Sequence, residues 1–443
     1  MNTNDKGMGL YIHIPFCVSK CAYCDFLSFE GTGGDLHERY VQALIAEMRQ
    51  VLRPHGGPGA PHYGQHSYVD AERCALEGAQ ADVDAEYRVG AQIDTVYIGG
   101  GTPTALPPFL LCEILQEVQR LNLAPNAEVT LEMNPTTNQL AALADYAKQG
   151  VNRLSVGLQA WQDEFLRGLR RSHTATEFTQ TMQAARDAGI GNINVDLMFG
   201  LPWQSMWHWR ESITNVLAHS PTHISAYSLT PAEDTPLWDA LESRKLTLPS
   251  EASDRAMYHE AIRIFSDAGY GHYELSNFAL PGMESKHNID CWRRKPYIGL
   301  GLGAHSFDGK KRWRNTKDMG RYLNVWKSFT EEAHRDTWKS PAQETRPDTW
   351  ESHPQEAHPC IQEDIETLST QDAMAETMFL GLRMTGGISP QDFYQRFSQP
   401  LTQVYGQELE ELTSKGLITS TPDKIALTPL GLDLANQVFE AFI

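Results

Sequence analysis

Six short runs rich in β-branched and aromatic residues recur through the first half of the chain, at residues 11–15, 94–100, 128–132, 153–159, 192–198 and 223–229. Amphipathic stretches lie between them: residues 36–51, 108–121, 137–148 and 175–188 repeat apolar side chains at every third and fourth position, the period of a helix with one buried face. Strand and helix in alternation predict βαβ units and hence an α/β fold with a parallel sheet, open or curled into a partial barrel. Sites in such sheets lie at the carboxyl ends of the strands, which directs attention to the residues that close each run.

Two segments break the pattern. Residues 53–90, containing HGGPGAPHYGQH, and residues 331–366, with an imperfect repeat (DTWKSPAQE from Asp336, DTWESHPQE from Asp348), are rich in Pro, Gly, His and charge. Both are expected to be surface insertions, the first a mobile loop and the second the product of a local duplication. From Asp372 the character changes: AMAETMFLGLRM and QELEELTSKGLI read as helices, KIALTPLG as a short strand and LDLANQVF as a last helix, together a small winged-helix-like α/β module. The expected organisation is residues 1–310 as the barrel and its extension, 311–371 as a connector carrying the second insertion, and 372–443 as the C-terminal module.

A chain of 443 residues with 41% hydrophobic content can bury a full core. No run approaches the ~20 consecutive apolar residues of a membrane span. The opening MNTNDKGMGL lacks the basic and apolar regions of a secretory signal, so a soluble cytoplasmic protein is expected. A formal net charge of -19 repels nucleic acid, which favours a packing or lid role for the C-terminal module over DNA binding. Seven cysteines, an odd number, do not suit a disulfide framework. Cys74, Cys112, Cys291 and Cys360 are scattered, with Cys112 in FLLCEIL reading as an ordinary helix thiol.

The other three crowd together: Cys17, Cys21 and Cys24 in YIHIPFCVSKCAYCDF stand at offsets of four and three directly after a strand, so one loop carries them all. Three readings are open: structural thiols, half of a zinc site completed by distant histidines, or an iron–sulfur cluster. Zinc usually takes paired C-x-x-C units and four closed ligands. Three thiolates on a cubane leave one iron open to an exogenous ligand, a position that the amino and carboxylate groups of a methionine moiety suit. The pattern C-x-x-x-C-x-aromatic-C after a strand resembles the signature of the radical S-adenosylmethionine superfamily. That resemblance implies a 4Fe–4S cluster on Cys17, Cys21 and Cys24, S-adenosylmethionine on the open iron, and Tyr23 against the adenine.

Further strand ends agree. The strand at 94–98 runs into Gly99, Gly100, Gly101, Thr102 and Pro103, where missing side chains let the backbone approach a ligand, although a tight strand-to-helix turn would read the same way. Glu132 closes the run in LEMNP and Gln159 that in VGLQ; a carboxylate accepts bonds from ribose hydroxyls and an amide donates or accepts, so both suit a nucleoside. Arg171, in RRSHT, is expected to open the helix beyond Gln159 and can pair with a ligand carboxylate. Asp196, inside the otherwise apolar NVDLMFGLP, is costly to bury without a partner. Any one of these reads as a structural contact, but four at successive strand ends are hard to attribute to structure.

From Tyr11 to Pro202 these motifs resemble the branch of the superfamily containing oxygen-independent coproporphyrinogen III oxidase and the heme chaperone HemW, and GLPWQ, HISAYSLTP, HYELSNFA and LGLGAHSF continue in the same order. The resemblance implies a partial (β/α)6, TIM-like radical SAM barrel with a helical C-terminal domain. It maps Tyr11, Gly100 and Glu132 onto the cluster-bound S-adenosylmethionine. Tyr23, Gly101, Thr102, Gln159, Arg171 and Asp196 map onto positions that hold a second molecule in the oxidase. Three departures separate the chain from the oxidase. Phe26 stands two positions after the third thiol, where the oxidase has a further Cys; only ten residues precede Tyr11; and KHNIDCW, at 286–292, is similar to the HN-x-x-Y-W heme motif, with Cys291 in place of Tyr. His287 is then the candidate axial ligand to heme iron, and His305 in GAHSF a second one. What is implied is a heme-binding chaperone without oxidase activity, delivering heme to an acceptor protein, membrane-bound acceptors included. The competing expectations are oxidative decarboxylation of coproporphyrinogen III and a radical reaction on an unrelated substrate.

Overall fold

The computed structural model describes residues 7–52, 91–336 and 361–443. The insertion expected at 53–90, the repeat within 337–360, Cys74 and Cys360 lie outside the described residues. The first strand, β1 (Met8–Ile14), is followed by a two-residue pair, β2 (Phe16–Cys17) and β3 (Phe29–Glu30). Then come β4 (Ile93–Gly100), β5 (Leu123–Met133), β6 (Arg153–Gln159), β7 (Asn192–Phe199) and β8 (His223–Ser228). Strands β1 and β4 to β8 pair in parallel in chain order, and they are the six expected from the apolar runs.

Alternation along each strand divides the sheet into two unlike faces. Leu10, Ile12 and Ile14, Val96 and Ile98, Val129 and Leu131, Leu154, Val156 and Leu158, and Ile193, Val195 and Leu197 all sink into one apolar core. The apolar sides of helices Asp35–Leu52, Pro108–Val118, Ala175–Asp187, Met206–Ala218 and Glu251–Asp267 cover that face. The opposite face carries Tyr11, Tyr97, Thr130, Glu132, Arg153, Asn194, Asp196, His223 and Tyr227. A parallel sheet is ordinarily apolar on both faces. Here the polar face lines the inside of the partial barrel, so the fold spends its concave side on chemistry rather than on packing.

The sheet extends well past the six strands. Beyond β8 come β9 (Gly271–Glu274) and β10 (Asn277–Ala279), with β10 antiparallel to β8 and β9 antiparallel to β10 at the sheet edge, whereas β11 (Tyr297–Leu300) lies parallel to β1 and leads into antiparallel β12 (His305–Phe307), β13 (Lys311–Asn315) and β14 (Gln362–Thr367). Among the described residues the result is one 12-stranded sheet. Residues 311–371, read from the sequence as a connector, therefore differ from that expectation. Their strands complete the sheet, and helix Met319–Asp336 packs on helix Asp35–Leu52, with the Tyr40 and Tyr322 rings 5.4 Å apart.

The C-terminal module has its own core around Met374, Met378, Phe393, Leu409 and Val438. Helices Thr370–Gly381, Pro390–Phe397 and Leu401–Ser414 precede a hairpin of β15 (Ile418–Ser420) and β16 (Ile425–Leu427), and two short helices close the chain, the winged-helix-like order. Among the described residues no helix is long and apolar enough to cross a membrane.

Candidate functional site

The loop after β1 and the glycine turn after β4 are tied together before any ligand is considered. Gly101 N donates to Ile14 O at 2.9 Å and Thr102 N to Phe16 O at 2.7 Å. A Cβ on Gly101 would stand 2.7 Å from Phe16 O, so no other residue permits this approach. The turn holds Cys17, the end of β2, with its sulfur 3.7 Å from Thr102 Oγ1. Cys21 O accepts from Cys24 N at 3.3 Å, and Arg171 Nη1 donates to Cys21 Sγ at 3.6 Å. Burial pushes the Cys17 and Cys24 thiols up, and the neighbouring thiols push the same way. Among the described residues no three His, Cys, Asp or Glu side chains converge on a single metal ion. Three thiols strung along one loop suit a cluster whose irons are ligated one by one better than a closed zinc site.

Glu132, one residue before the end of β5, lies beside that turn. It accepts from the Tyr97 hydroxyl at 2.8 Å and from Gly100 N at 3.1 Å, and burial pushes its carboxyl up to about 7 against the pull of those two donors. Gly99 faces it: a Cβ there would lie 2.7 Å from the Glu132 carboxyl carbon. Tyr11 donates to His13 Nδ1 at 3.0 Å, and His13 Nε2 donates to Leu27 O at 2.9 Å, which fixes the imidazole tautomer and anchors the strand to the cysteine loop.

Gln159 is buried and left-handed, with φ 74, because a bulge between Gly157 and Gln159 twists the end of β6. A residue of this type adopts that backbone only where its surroundings hold it, and Tyr227 does so by donating to Gln159 Oε1 at 2.8 Å. Arg171 does not open a helix as expected; it lies between helices Asp163–Gly168 and Ala175–Asp187. From there its Nη2 donates to Asn134 Oδ1 at 2.7 Å and to Gly157 O, while its Nε is buried without a hydrogen-bond partner. A ligand carboxylate at this rim would supply that partner. Asp196 accepts from Asn194 Nδ2 at 2.7 Å, and burial raises its carboxyl above the usual range. Tyr23 packs against the apolar cluster that includes Phe165, Met198 and Leu237, and its phenol is raised by burial.

The structure thus brings Cys17, Cys21, Tyr23, Cys24, Gly100, Gly101, Thr102, Glu132, Gln159 and Arg171 to one end of the barrel, with Tyr11 and Asp196 lower down, within β1 and β7. His287 stands apart from them. It is 7% exposed at the amino-terminal ends of the strands, on the short helix Lys286–Trp292. Glu128 accepts from both Lys286 N and His287 N at 3.2 Å, and His287 Nδ1 pairs with Thr95 Oγ1 at 2.9 Å. Burial, reinforced by the Arg153 charge, pushes its imidazole down to about 4. Cys291 on the same helix is a protonated thiol, pushed up to about 12 by burial. His305 is not brought to His287: it is exposed on β12, where its charge is felt by His13.

Three residues of the site escape motif reading: His13, Tyr97 and Asn134, the last bridging Thr102 and Arg171. The signal was alternation, which puts His13 with Tyr11 and Tyr97 with Gly99 on the polar face.

Comparison with known proteins gives the family and the fold. The Radical SAM superfamily profile matches residues 11–216, and that of the HemN C-terminal domain matches residues 368–434. The chain is 31% identical to the heme chaperone HemW of Bacillus subtilis (strain 168), with 98% of each chain covered. It is 34% identical to HemW of Escherichia coli (strain K12), covering 71% of this chain and 77% of that one. Against the mitochondrial radical S-adenosyl methionine domain-containing protein 1 of Danio rerio identity is 32%, with 90% and 78% covered. The fold is similar to that of the radical SAM enzyme coproporphyrinogen III oxidase (HemN) from Escherichia coli, with a TM-score of 0.72 at 19% identity over 99% of this chain and 90% of that one. The chain belongs to the radical SAM superfamily, in the family of the HemW heme chaperones, and that membership implies a 4Fe–4S cluster and S-adenosylmethionine.

Proposed function

We propose that this protein is itself a heme chaperone, taking heme iron on His287 and passing heme to an acceptor protein in the cytoplasm or at a membrane. The observation that carries the reading is the setting of His287. Nδ1 is engaged by Thr95, and no hydrogen bond reaches Nε2 among the described residues, so Nε2 is the nitrogen free for iron. Its depressed pKa keeps the ring neutral, the form that ligates metal. The ring is closed in, so a porphyrin reaches it only when helix Lys286–Trp292 swings away from Glu128.

At the far rim, Cys17, Cys21 and Cys24 would hold the cluster, and Tyr11, Gly100 and Glu132 the S-adenosylmethionine bound to it. Tyr23, Gly101, Thr102, Gln159, Arg171 and Asp196 would enclose the nucleoside or a second molecule. When bound, the cluster supplies one-electron chemistry at the sulfonium; the chain's part is to orient the nucleoside and shield it from water. Porphyrinogen oxidation is the less favoured reading, since Phe26, 65% exposed, stands where the oxidase has a further thiol.

The test uses anaerobically reconstituted protein, given hemin in one arm and coproporphyrinogen III with S-adenosylmethionine and reductant in the other. Stoichiometric Soret-band binding that disappears in His287→Ala, without protoporphyrinogen formation, is the expected result. Turnover of the porphyrinogen would sink the chaperone reading.

A further inference from the structure

We infer that the interior of the barrel, beneath the cofactor rim, contains a carboxylate-binding site built by Arg153 and Thr130, and that it receives a propionate of the bound heme. The inference rests on the heme-chaperone reading and adds to it a second point of recognition.

Arg153 opens β6. Because Leu154, Val156 and Leu158 face the helices, Arg153 faces the lumen with Ser155 and Gly157. It is 2% exposed, its Nε is buried without a hydrogen-bond partner, and among the described residues no carboxylate forms an ion pair with it. Beside it on β5, in direct register, is Thr130, fully buried, whose Oγ1 is also without a partner. Two orphaned donors on neighbouring strands therefore look into the same interior. A buried guanidinium with open valences is costly unless an anion completes it.

Among the described residues the neighbouring carboxylates do not complete it. Glu128 is engaged by the amides of Lys286 and His287, Glu132 by Tyr97 and Gly100, and Asp196 by Asn194. The Arg153 charge nevertheless reaches Tyr97, Glu132, Asp196, His223 and His287, which places it centrally among the lumen groups. The planar fork of a guanidinium matches a carboxylate, and a threonine hydroxyl adds one further donor. Heme offers two such carboxylates on the same edge. One of them on Arg153 would fix the orientation in which His287 meets the iron. Both groups lie deep in the barrel, so the same opening of helix Lys286–Trp292 would expose them.

The experiment compares hemin with hemin dimethyl ester by anaerobic Soret titration of the reconstituted full-length protein, in wild type, Arg153→Met and Thr130→Val. Wild type is expected to bind the diester at least about tenfold more weakly than hemin, the loss expected for a charge-assisted pair. Arg153→Met should bind both forms with the same weakened affinity, and Thr130→Val should narrow the preference. Circular dichroism and the visible cluster absorption report whether each variant has folded, and the wild-type comparison of the two ligands does not depend on any variant. Equal binding of hemin and diester by wild type would overturn the carboxylate site alone. Failure of wild type to bind hemin at all would overturn the chaperone reading and this site with it.

Discussion

The Tyr97 hydroxyl donates a 2.8 Å hydrogen bond to Glu132 Oε1, and the same ring lies against that of His287, tilted by 31° with centroids 5.2 Å apart. One side chain of β4 thus spans the distance between the proposed nucleoside and heme groups. Tyr97→Phe keeps the ring and removes only the bond. S-adenosylmethionine binding at pH 7 is expected to weaken by about tenfold, since a hydrogen bond to a charged acceptor is worth roughly 1.5–3 kcal/mol. Anaerobic calorimetry checks this; an unchanged affinity would remove Glu132 from the nucleoside site.

The raised pKa of Glu132 gives S-adenosylmethionine binding a pH dependence of definite sign. In the free protein the carboxyl is protonated below about 7. Ribose hydroxyls donate to the charged form, so binding expels the proton and strengthens as pH rises, levelling above 7. Between pH 6 and pH 8 the ionised fraction changes about tenfold, and the affinity should follow. The same shift acts on folding in the opposite sense: with the folded value above the ordinary 4.5, stability falls as pH rises from 4.5 through about 7. Glu132→Gln should bind weakly with a flat profile over this range, and an undiminished slope in that variant would assign the dependence to another group.

The parallel strands, the cysteine loop and the polar residues Glu132, Gln159 and Asp196 were legible because each is written locally, in alternation or in a fixed spacing, although Asp196 lies within β7 and not at its end as the sequence suggested. Strands β9 to β14 were not. They span three to six residues, and β13 and β14 are joined through Arg314 with Glu363 and Asp364 rather than by an apolar pattern. The burial of His287 was equally hidden, because KHNIDCW is a polar helix whose key partner, Thr95, is distant in sequence. Arg153 at the head of a strand reads as a solvated charge until the curl of the sheet encloses it.

Gly99 offers a test of the rim that leaves the cysteines untouched. An added methyl would meet the Glu132 carboxylate, which is held on both oxygens by Tyr97 and Gly100 and has little freedom to retreat. Gly99→Ala is expected to retain the visible absorption of the cluster while losing at least about tenfold in S-adenosylmethionine affinity, the cost of one displaced charged hydrogen bond. Replacing Cys17, Cys21 or Cys24 by Ala should instead abolish the cluster absorption. If Gly99→Ala also lost the cluster, the glycine would be serving the cysteine loop rather than the nucleoside.

Glu376, on helix Thr370–Gly381, fastens the C-terminal module to the sheet. Its Oε2 accepts from Arg294 Nε at 2.7 Å and its Oε1 accepts from Arg312. The Arg294 and Glu376 side chains are 4% and 7% exposed, so removing the carboxylate strands a buried cation, a change that costs about 3–5 kcal/mol, whereas the partly exposed Arg312 adds little. Arg294 follows helix Lys286–Trp292 by two residues, so this loss bears directly on the segment that carries His287. Glu376→Ala is expected to lower the unfolding temperature by several degrees and to speed amide hydrogen exchange across residues 286–292. If heme enters by the opening of that helix, its association rate should rise in the same variant. Exchange that stays slow at 286–292 while the module itself loosens would show that Glu376 holds the module alone, and that the route to His287 is gated elsewhere.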